Sequence, residues 1–590
     1  MSRSPLHTLR ARPWARNASL LAQAVHEHIV DDPVLLVLQG ARRLPSPLAQ
    51  RLGGVLAALP STSIPRVIGL EMLGHRADAM AALTGAAGEA RAAGVHRADA
   101  ATGLGEPVMA RDLLERIPAA RRGAGWSAAA ARVDAFEGRL TEAVAHAGAH
   151  RRNRRLAQRL RGELDAFAGF TPQLSRVPDY VPQPGRVVHV LTNSLPHTGS
   201  GYAQRSHSIL LSLRDQGFDV SAITRPGYPV HIGVPWAAQD DDVDGIRYHR
   251  LLPARLAAGQ AQRLQQHAEL LLDHVLHQRP ALLHTTTHFV NAVAVDAVAR
   301  AVGIPWVYEV RGQLADTWAA THGEHASVSE RYRLFVERER QAVADADAVV
   351  TLGEQMRESL AGPDVPAERI VLSPNAIGEA FEESPVAAAQ ARRDLGWTLD
   401  SDAVVVGTVS SLVDYEGLDT LLRAAALVRA ELPQLRLHIA GDGVARPGLI
   451  ALARELGLED ITSFPGRVSR DQARLHHAAL DVFVVPRRDL PVTRTVTPMK
   501  SVEASASARP VIASDLPALA ELVDPGITGL LAPAGDPGAW AAALLELAGD
   551  PERRARMGAA GRAWALATRT WRGNALRYRA LYQSLGVSPR

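Results

Sequence analysis

Residues 486–521 read PRRDLPVTRTVTPMKSVEASASARPVIASDLPALAE, and the reading of this stretch decides the fold. Up to Pro498 it is a polar loop. A short helix of small residues follows around Glu503 to Ser507, then a break at Arg509-Pro510 and an apolar strand Val511–Ala513 closed by Ser514-Asp515. A carboxylate near the start of a helix, with a lysine ahead of it and a strand behind, is how an open α/β sheet builds an anion and ribose site at its carboxyl edge.

Working outward, strands and helices alternate on both sides. Ala403–Val409, Leu435–Ala440, Ile461–Phe464, Val482–Val485 and Leu530–Ala532 are short apolar runs of strand type, with helices at Leu418–Glu431, Gly448–Leu456, Arg470–Ala479 and Pro537–Ala548. An earlier series has strands at Val187–Thr192, Asp219–Thr224, Ile246–Leu252, Ala281–His284, Trp306–Val310, Ala348–Leu352 and Arg369–Leu372. Its helices fall at Tyr202–Gln216, Ala257–Gln278, Asn291–Val302 and Ser327–Ala344. Two doubly wound α/β domains in tandem leave a crevice between the carboxyl edges of their sheets, where ligands of this architecture bind. The segment Pro551–Leu585 carries Trp564, Trp571 and Tyr578 at seven-residue steps, a packing stripe expected to lie back across the domain junction.

The first part of the chain differs. From Asn17 to about Phe170 it is rich in Ala, Arg and Leu at helical spacing with few β-branched alternations, so a stack of short helices is expected. Ala130–Ala145 resembles the helix–turn–helix of a tetratricopeptide-like repeat, in one readable copy. His150–Arg161 sets Leu156, Leu160 and Leu164 on one helical face and arginines on the others, which suits a solvated helix or a patch for anionic lipid headgroups. The expected division is a helical domain over 1–170, a proline-rich linker over 171–185, α/β domains over 186–380 and 381–565, and a terminal helix over 566–590.

Composition narrows the chemistry. At 590 residues the chain exceeds one core, and about three or four domains are expected. The absence of cysteine removes disulfides, thiolate nucleophiles and Cys-ligated metals. A net charge of +3 argues against a nucleic-acid partner. No apolar run before Asp31 makes a secretory signal and none reaches the ~20 residues of a membrane span, so a cytoplasmic location, peripheral at most to the inner face of a membrane, is expected.

Seven stretches carry a resemblance. They are Thr198-Gly-Ser-Gly-Tyr-Ala-Gln-Arg-Ser-His207, Thr224-Arg-Pro-Gly-Tyr-Pro229, Tyr308-Glu-Val-Arg-Gly312, Ser373-Pro-Asn-Ala376, Tyr415-Glu-Gly-Leu-Asp419, Ile439-Ala-Gly-Asp-Gly443 and Val496-Thr-Pro-Met-Lys-Ser-Val-Glu-Ala504. In order and spacing they resemble a GT-B glycosyltransferase of the large retaining family 4, in the branch associated with bacterial exopolysaccharide and cell-envelope synthesis. The resemblance implies two Rossmann-like domains, a nucleotide-sugar donor (UDP or GDP), a glycan or lipid-linked acceptor, retained anomeric configuration and no obligatory cofactor or metal. It implies that Lys500 charges the site for a departing diphosphate, beside backbone N–H groups of the loop Ser410-Ser411. Glu503 matches the second glutamate of the family's Glu-x7-Glu motif and would accept the ribose hydroxyls. Gly199 and Gly201 match the loop that lets backbone approach phosphate and sugar.

The chain also departs from the family. Thr495 stands where many relatives carry the first glutamate, Glu416 where they carry a phosphate-gripping lysine, and Ser410 or Ser411 replaces an arginine; Arg487 or Arg488 is the candidate to compensate. The first-domain His-x-His is reduced to His284-Thr-Thr286, so His284, His288 and His207 are acceptor-side base candidates or satisfied core and loop histidines, and Glu309 and Arg311 at a strand end face the crevice or form an internal ion pair. A degenerate, non-catalytic protein recruiting partners through the helical domain is the rival reading. The lone Gly199-Ser-Gly201 is a weak dinucleotide signal, and Asp240–Gly245 reads as a hairpin turn before a calcium loop.

Overall fold

The computed structural model describes residues 13–31, 37, 46–60, 63–84, 91–323 and 325–590. The first of these form helices, among them Pro13–Asp31, Ser46–Ala57, Ile64–Met72, Arg76–Thr84, Arg91–Gly103, Pro107–Glu115, Ala124–Phe136, Leu140–Gly148 and Arg154–Phe167. Ala124–Phe136 and Leu140–Gly148 make a helical hairpin whose turn passes through Gly138 at φ +77°. Helix Arg154–Phe167 turns Leu156, Leu160 and Phe167 inward and leaves Arg154, Arg155 and Arg161 exposed. Its apolar face is thus already covered by the protein. Phe167 packs edge-on against Phe289 and Phe335 of the next domain, and Leu20 of the first helix is buried with Val230, Ala237 and Leu252. Among the described residues no helix is long and apolar enough to cross a membrane.

Two sheets follow. The first contains β1 (Arg186–Leu191), β2 (Asp219–Thr224), β3 (Asp240–Val243), β4 (Ile246–Arg250), β5 (Leu282–Thr286), β6 (Trp306–Val310), β7 (Ala348–Thr351) and β8 (Ile370–Leu372), in the order β3-β4-β2-β1-β5-β6-β7-β8. Only β3 runs antiparallel, paired with β4 through the turn Asp244-Gly245, whose φ angles of +52° and +78° are those of a two-residue hairpin. The second contains β9 (Val404–Val409), β10 (Leu435–Ala440), β11 (Thr462–Gly466), β12 (Val482–Val485), β13 (Val511–Ser514) and β14 (Gly529–Ala532), all parallel, in the order β11-β10-β9-β12-β13-β14.

Parallel strands are buried on both faces, so their residues sort alternately into two cores. Val188 and Val190 of β1, Leu283 of β5 and Trp306, Tyr308 and Val310 of β6 share one cluster. Val187, Leu282 and Val307 share another with Trp571, Tyr578 and Tyr582. The helix carrying those aromatic residues, Trp571–Ser584, lies against helix Gly201–Asp215, so the end of the chain completes the first domain. Helix Pro551–Thr568 stays with the second, packed on helix Lys500–Ala506. The chain crosses between domains at Ile377 and again at Thr570, and these residues form a parallel bridge. Residues 171–185 contain no helix or strand, yet Leu174, Val177 and Tyr180 pack on the first domain and the Tyr180 hydroxyl donates to the Pro280 carbonyl at 2.8 Å.

Candidate functional site

In each sheet the strand order reverses beside the first strand of its series: β1 lies between β2 and β5, and β9 between β10 and β12. Crevices open at such points, outside the carboxyl ends of the strands. The loops there are residues 192–200 after β1, 410–417 after β9 and 486–499 after β12. The last opens the stretch that decided the fold. It contains a short helix, Pro491–Thr495, where a plain polar loop is expected from sequence; proline at its first position is pre-set for a helical start. This helix contacts helices Leu314–Ala319 and Glu354–Leu360 of the first domain. Glu521 accepts hydrogen bonds from the N–H groups of Glu354 and Gln355 at 2.9 and 2.8 Å, and Asn375 Nδ2 donates to the Thr497 carbonyl at 2.9 Å. Gly201 and Met499 face each other across the crevice: a Cβ on Gly201 would stand 3.9 Å from Met499 Sδ.

Three charged side chains meet at the second switch point. Glu416, 5% exposed, accepts from Arg487 Nη2 at 3.2 Å and Nε at 3.4 Å, and from Lys500 Nζ. Burial alone would raise the Glu416 carboxyl, but Arg487 and Lys500 hold it down at about 2. Burial pushes the Lys500 ammonium down to about 8, against the opposing pull of Glu416. Arg487 also donates Nη1 to the Val496 carbonyl at 2.8 Å, and Arg488 is paired with Asp414 and Asp419 at 3.2 Å each. Glu416, at the position of the family's lysine, does not leave the site without positive charge. The carboxylate gathers two cations from separate segments.

Glycines permit this convergence. Gly417 has φ +66°, and a Cβ there would stand 1.9 Å from the Pro486 carbonyl oxygen. Gly441, at φ +138°, would meet Ser410 O at 1.7 Å. The loops after β9, β10 and β12 thus touch backbone to backbone, which explains the glycines in Tyr415–Asp419 and Ile439–Gly443. Gly417→Ala is expected to part the 417 and 486 loops and destabilise the second domain by about 1–3 kcal/mol, the left-handed φ adding strain of its own; thermal unfolding checks it.

Glu503 lies one turn beyond Lys500, partly exposed, with Oε2 3.5 Å from His477 Nε2. Ser410 donates its N–H to the Ala440 carbonyl at 2.9 Å, and its buried hydroxyl has no partner among the described residues. Ser411 is exposed. Thr495 hydrogen-bonds back to its own short helix, Oγ1 to the Pro491 carbonyl at 3.2 Å, and brings no charge.

On the first-domain side, Gly199 and Gly201 flank Ser200, whose hydroxyl caps helix Gly201–Asp215 by accepting from the Ala203 N–H. Tyr228 holds their loop: its hydroxyl donates to the Ser194 carbonyl and hydrogen-bonds Thr198 Oγ1, both at 2.7 Å. That contact gives the Thr224–Pro229 stretch its purpose. Two other stretches interlock likewise. Arg205, 2% exposed, donates Nε to Glu309 at 2.8 Å, Nη2 to the Ser373 carbonyl at 2.6 Å and Nη1 to the Pro374 carbonyl at 3.1 Å. Arg311 Nη2 reaches Glu309 at 2.9 Å and its Nη1 reaches Ser206 Oγ at 2.7 Å. These matching residues of the first domain are therefore held in its interior behind the crevice.

This network corrects the acceptor-side assignments. Glu309 is fully buried; burial would raise its carboxyl, but Arg311 and Arg205 hold it well below the usual carboxylate range. It and Arg311 form an internal ion pair. His284 is fully buried in mid-strand, stacked on His189, with Nδ1 2.6 Å from the Tyr582 hydroxyl and Nε2 3.2 Å from Glu309 Oε2. The alternation in β5 and β6 puts His284 and Glu309 on the sheet face covered by the terminal helix, not at the crevice edge, and strand alternation is the signal that could have told. His207 is held between the Tyr248 hydroxyl at 2.7 Å and Asp244 at 2.8 Å. His288 caps helix Phe289–Val302, lies against Phe289 and Phe335, and is pushed down to about 3 by burial and by Arg331, too weak for a general base. The cluster of Glu416 with Arg487 and Lys500 is what sequence reasoning missed.

A cavity of about 350 Å³ lies between helices Phe289–Val302 and Glu330–Asp345, lined by Trp306, Asp296, Arg300, Arg338 and Asp345. Arg300 already pairs with Asp296 and Asp345 there, and neither strand-order reversal adjoins it. The chemistry described above lies elsewhere.

Comparison with known proteins agrees with this fold. Residues 200–376 match the glycosyl transferase 4-like domain and residues 395–564 match the glycosyl transferases group 1. The chain is 34% identical over 232 residues to D-inositol 3-phosphate glycosyltransferase of Thermobispora bispora, covering 38% of this chain and 52% of that protein. It is 34% identical over 261 residues to the GDP-mannose-dependent alpha-(1-6)-phosphatidylinositol monomannoside mannosyltransferase of Mycolicibacterium smegmatis, covering 43% of this chain and 66% of that protein. The chain thus spans about half to two thirds of these relatives' own length. In fold it is similar to sucrose-phosphate synthase from Thermosynechococcus elongatus, with TM-score 0.58, 23% identity and coverage of 68% of this chain and 99% of that one. It is also similar to the Anabaena HepE protein solved with UDP, with TM-score 0.53, 17% identity and coverage of 68% and 100%.

Proposed function

We propose, from the premise that the chain belongs to the GT-B glycosyltransferases with group 1 and 4-like domains, that it transfers a sugar from a nucleoside diphosphate donor to a glycan, lipid-linked or cell-envelope acceptor with retention of configuration. The observation that carries this is the ammonium of Lys500, held at the second switch point with Glu503 one turn along the same helix. A cation there offsets the charge that develops on a departing diphosphate, and a carboxylate accepts ribose hydroxyls. In this reading Gly199 and Gly201 let the first-domain backbone approach the sugar phosphate, while Ser410 and Ser411 line the donor loop. The relatives' names favour a guanosine diphosphate donor and an acceptor carrying a polyol or lipid phosphate. A non-catalytic scaffold has no observation in its favour.

The test is donor binding. UDP or GDP should raise the unfolding temperature of the chain in proportion to its concentration, and NADP should not. Glu503→Ala should weaken the preferred nucleotide by about 10- to 100-fold, the loss of hydrogen bonds to a charged acceptor, without shifting the unfolding temperature of the free protein. Equal protection by NADP, or a Glu503→Ala chain that binds as tightly as the parent, would remove the donor site from this crevice.

A further inference from the structure

Lys500 is the only lysine in a chain whose lysines and arginines together number 65. Every other basic side chain of this kind is an arginine. The single exception sits where Glu416 and Arg487 converge, with its side chain 11% exposed. Its neighbours show what each charge does. Arg487 has Nε and Nη2 on Glu416 and Nη1 on the Val496 carbonyl, and its side chain is only 8% exposed. All three of its nitrogens are bonded within the protein, two of them to one carboxylate, which fixes the plane of the guanidinium. Lys500 spends one N–H on Glu416, and an ammonium carries three.

We infer that Glu416 is a positioning residue that aims the Lys500 ammonium at the diphosphate of the donor, and that Arg487 is the counter-ion of Glu416 rather than a ligand of the phosphate. The cluster then carries one net positive charge, presented by Lys500. This rests on the donor reading above and assigns the work within it. An arginine at 500 would not replace the lysine, because its planar fork needs more room than an ammonium with a single anchoring bond.

Other charges surround the site. Arg488 is paired with Asp414 and Asp419 on the adjoining turns, Glu503 faces His477 on the next helix, and across the crevice Tyr202 lies within electrostatic reach of Arg311 and of Tyr415. Among these neighbours, Glu416 is the carboxylate bonded to the ammonium. Removing its charge leaves burial and Arg487, both of which disfavour protonated Lys500.

A single lysine makes the test direct. The full chain labelled with [13Cε]lysine gives one side-chain resonance, whose midpoint is read from pH 6 to 10 without nucleotide, and UDP and GDP affinities are measured by calorimetry at pH 6.5 and 8.5. The parent should titrate near 8, and Glu416→Gln should lower that midpoint by about one unit or more. Affinity for the preferred nucleotide should then fall about tenfold at pH 8.5 and much less at pH 6.5, where the amine is protonated in both chains. Lys500→Arg should bind weakly with no such pH dependence. An unchanged midpoint in Glu416→Gln would overturn the positioning role. Tighter nucleotide binding by Glu416→Gln would overturn it too, since Glu416 would then be an internal competitor of the phosphate. If the midpoint moves as expected but neither nucleotide binds the parent, the donor reading fails instead.

Discussion

On the proposed function, Lys500→Ala is expected to lower turnover of the nucleotide-sugar donor by about 10²- to 10³-fold, the usual effect of removing one group that meets developing charge in a water-excluded site. The prediction is clean because the variant should fold. With the ammonium gone, Glu416 keeps its two hydrogen bonds to Arg487, so no buried carboxylate is left alone. Circular dichroism and the unfolding temperature verify the fold, and steady-state assay over a panel of UDP- and GDP-sugars gives kcat. Undiminished kcat in a folded Lys500→Ala chain would end the assignment of this residue to the chemistry.

Glu309→Ala is expected to damage the protein more than any single change at the crevice. The substitution leaves Arg205 and Arg311 buried without their carboxylate, and each is only 2% exposed. Breaking a buried ion network from one side costs about 3–5 kcal/mol. For a domain of this size that corresponds to an unfolding temperature lower by roughly 10 °C, read by calorimetry. The same network sets a pH dependence. The folded-state pKa of Glu309 is depressed below its unfolded value, so its contribution is complete above the ordinary carboxylate range and is lost as pH falls below it. Acid should therefore destabilise the parent more than Glu309→Ala.

The alternation of strands and helices was legible because a parallel strand covered on both faces is a near-continuous apolar run. Val187–Leu191 and Val482–Val485 are of that kind, and both became central strands. The helical character of the first part was legible from spacing, whereas the seat of Leu20 among Val230, Ala237 and Leu252 depends on contacts across more than two hundred residues. Site residues divided along the same line. Lys500 and Glu503 share one short helix, so their proximity follows from local geometry. Glu416 joins them only because the turns after β9 and β12 touch through Gly417 and Pro486, a matter of sheet order that spacing does not carry. The histidines misled for another reason. Residue type proclaims a possible base, but the face of the strand decides where it points, and His284 points at Tyr582.

The double passage at Ile377 and Thr570 has a mechanical consequence. Two extended segments lie side by side where the chain runs from one lobe to the other, tied at a single bridge by the Ile377 N–H donating to the Arg569 carbonyl. Such a ribbon flexes readily about an axis in its own plane and resists shear within that plane, because shear would stretch the bond that ties its edges. A swing of one lobe on the other would pivot at this link, and the Met499–Gly201 spacing would report it.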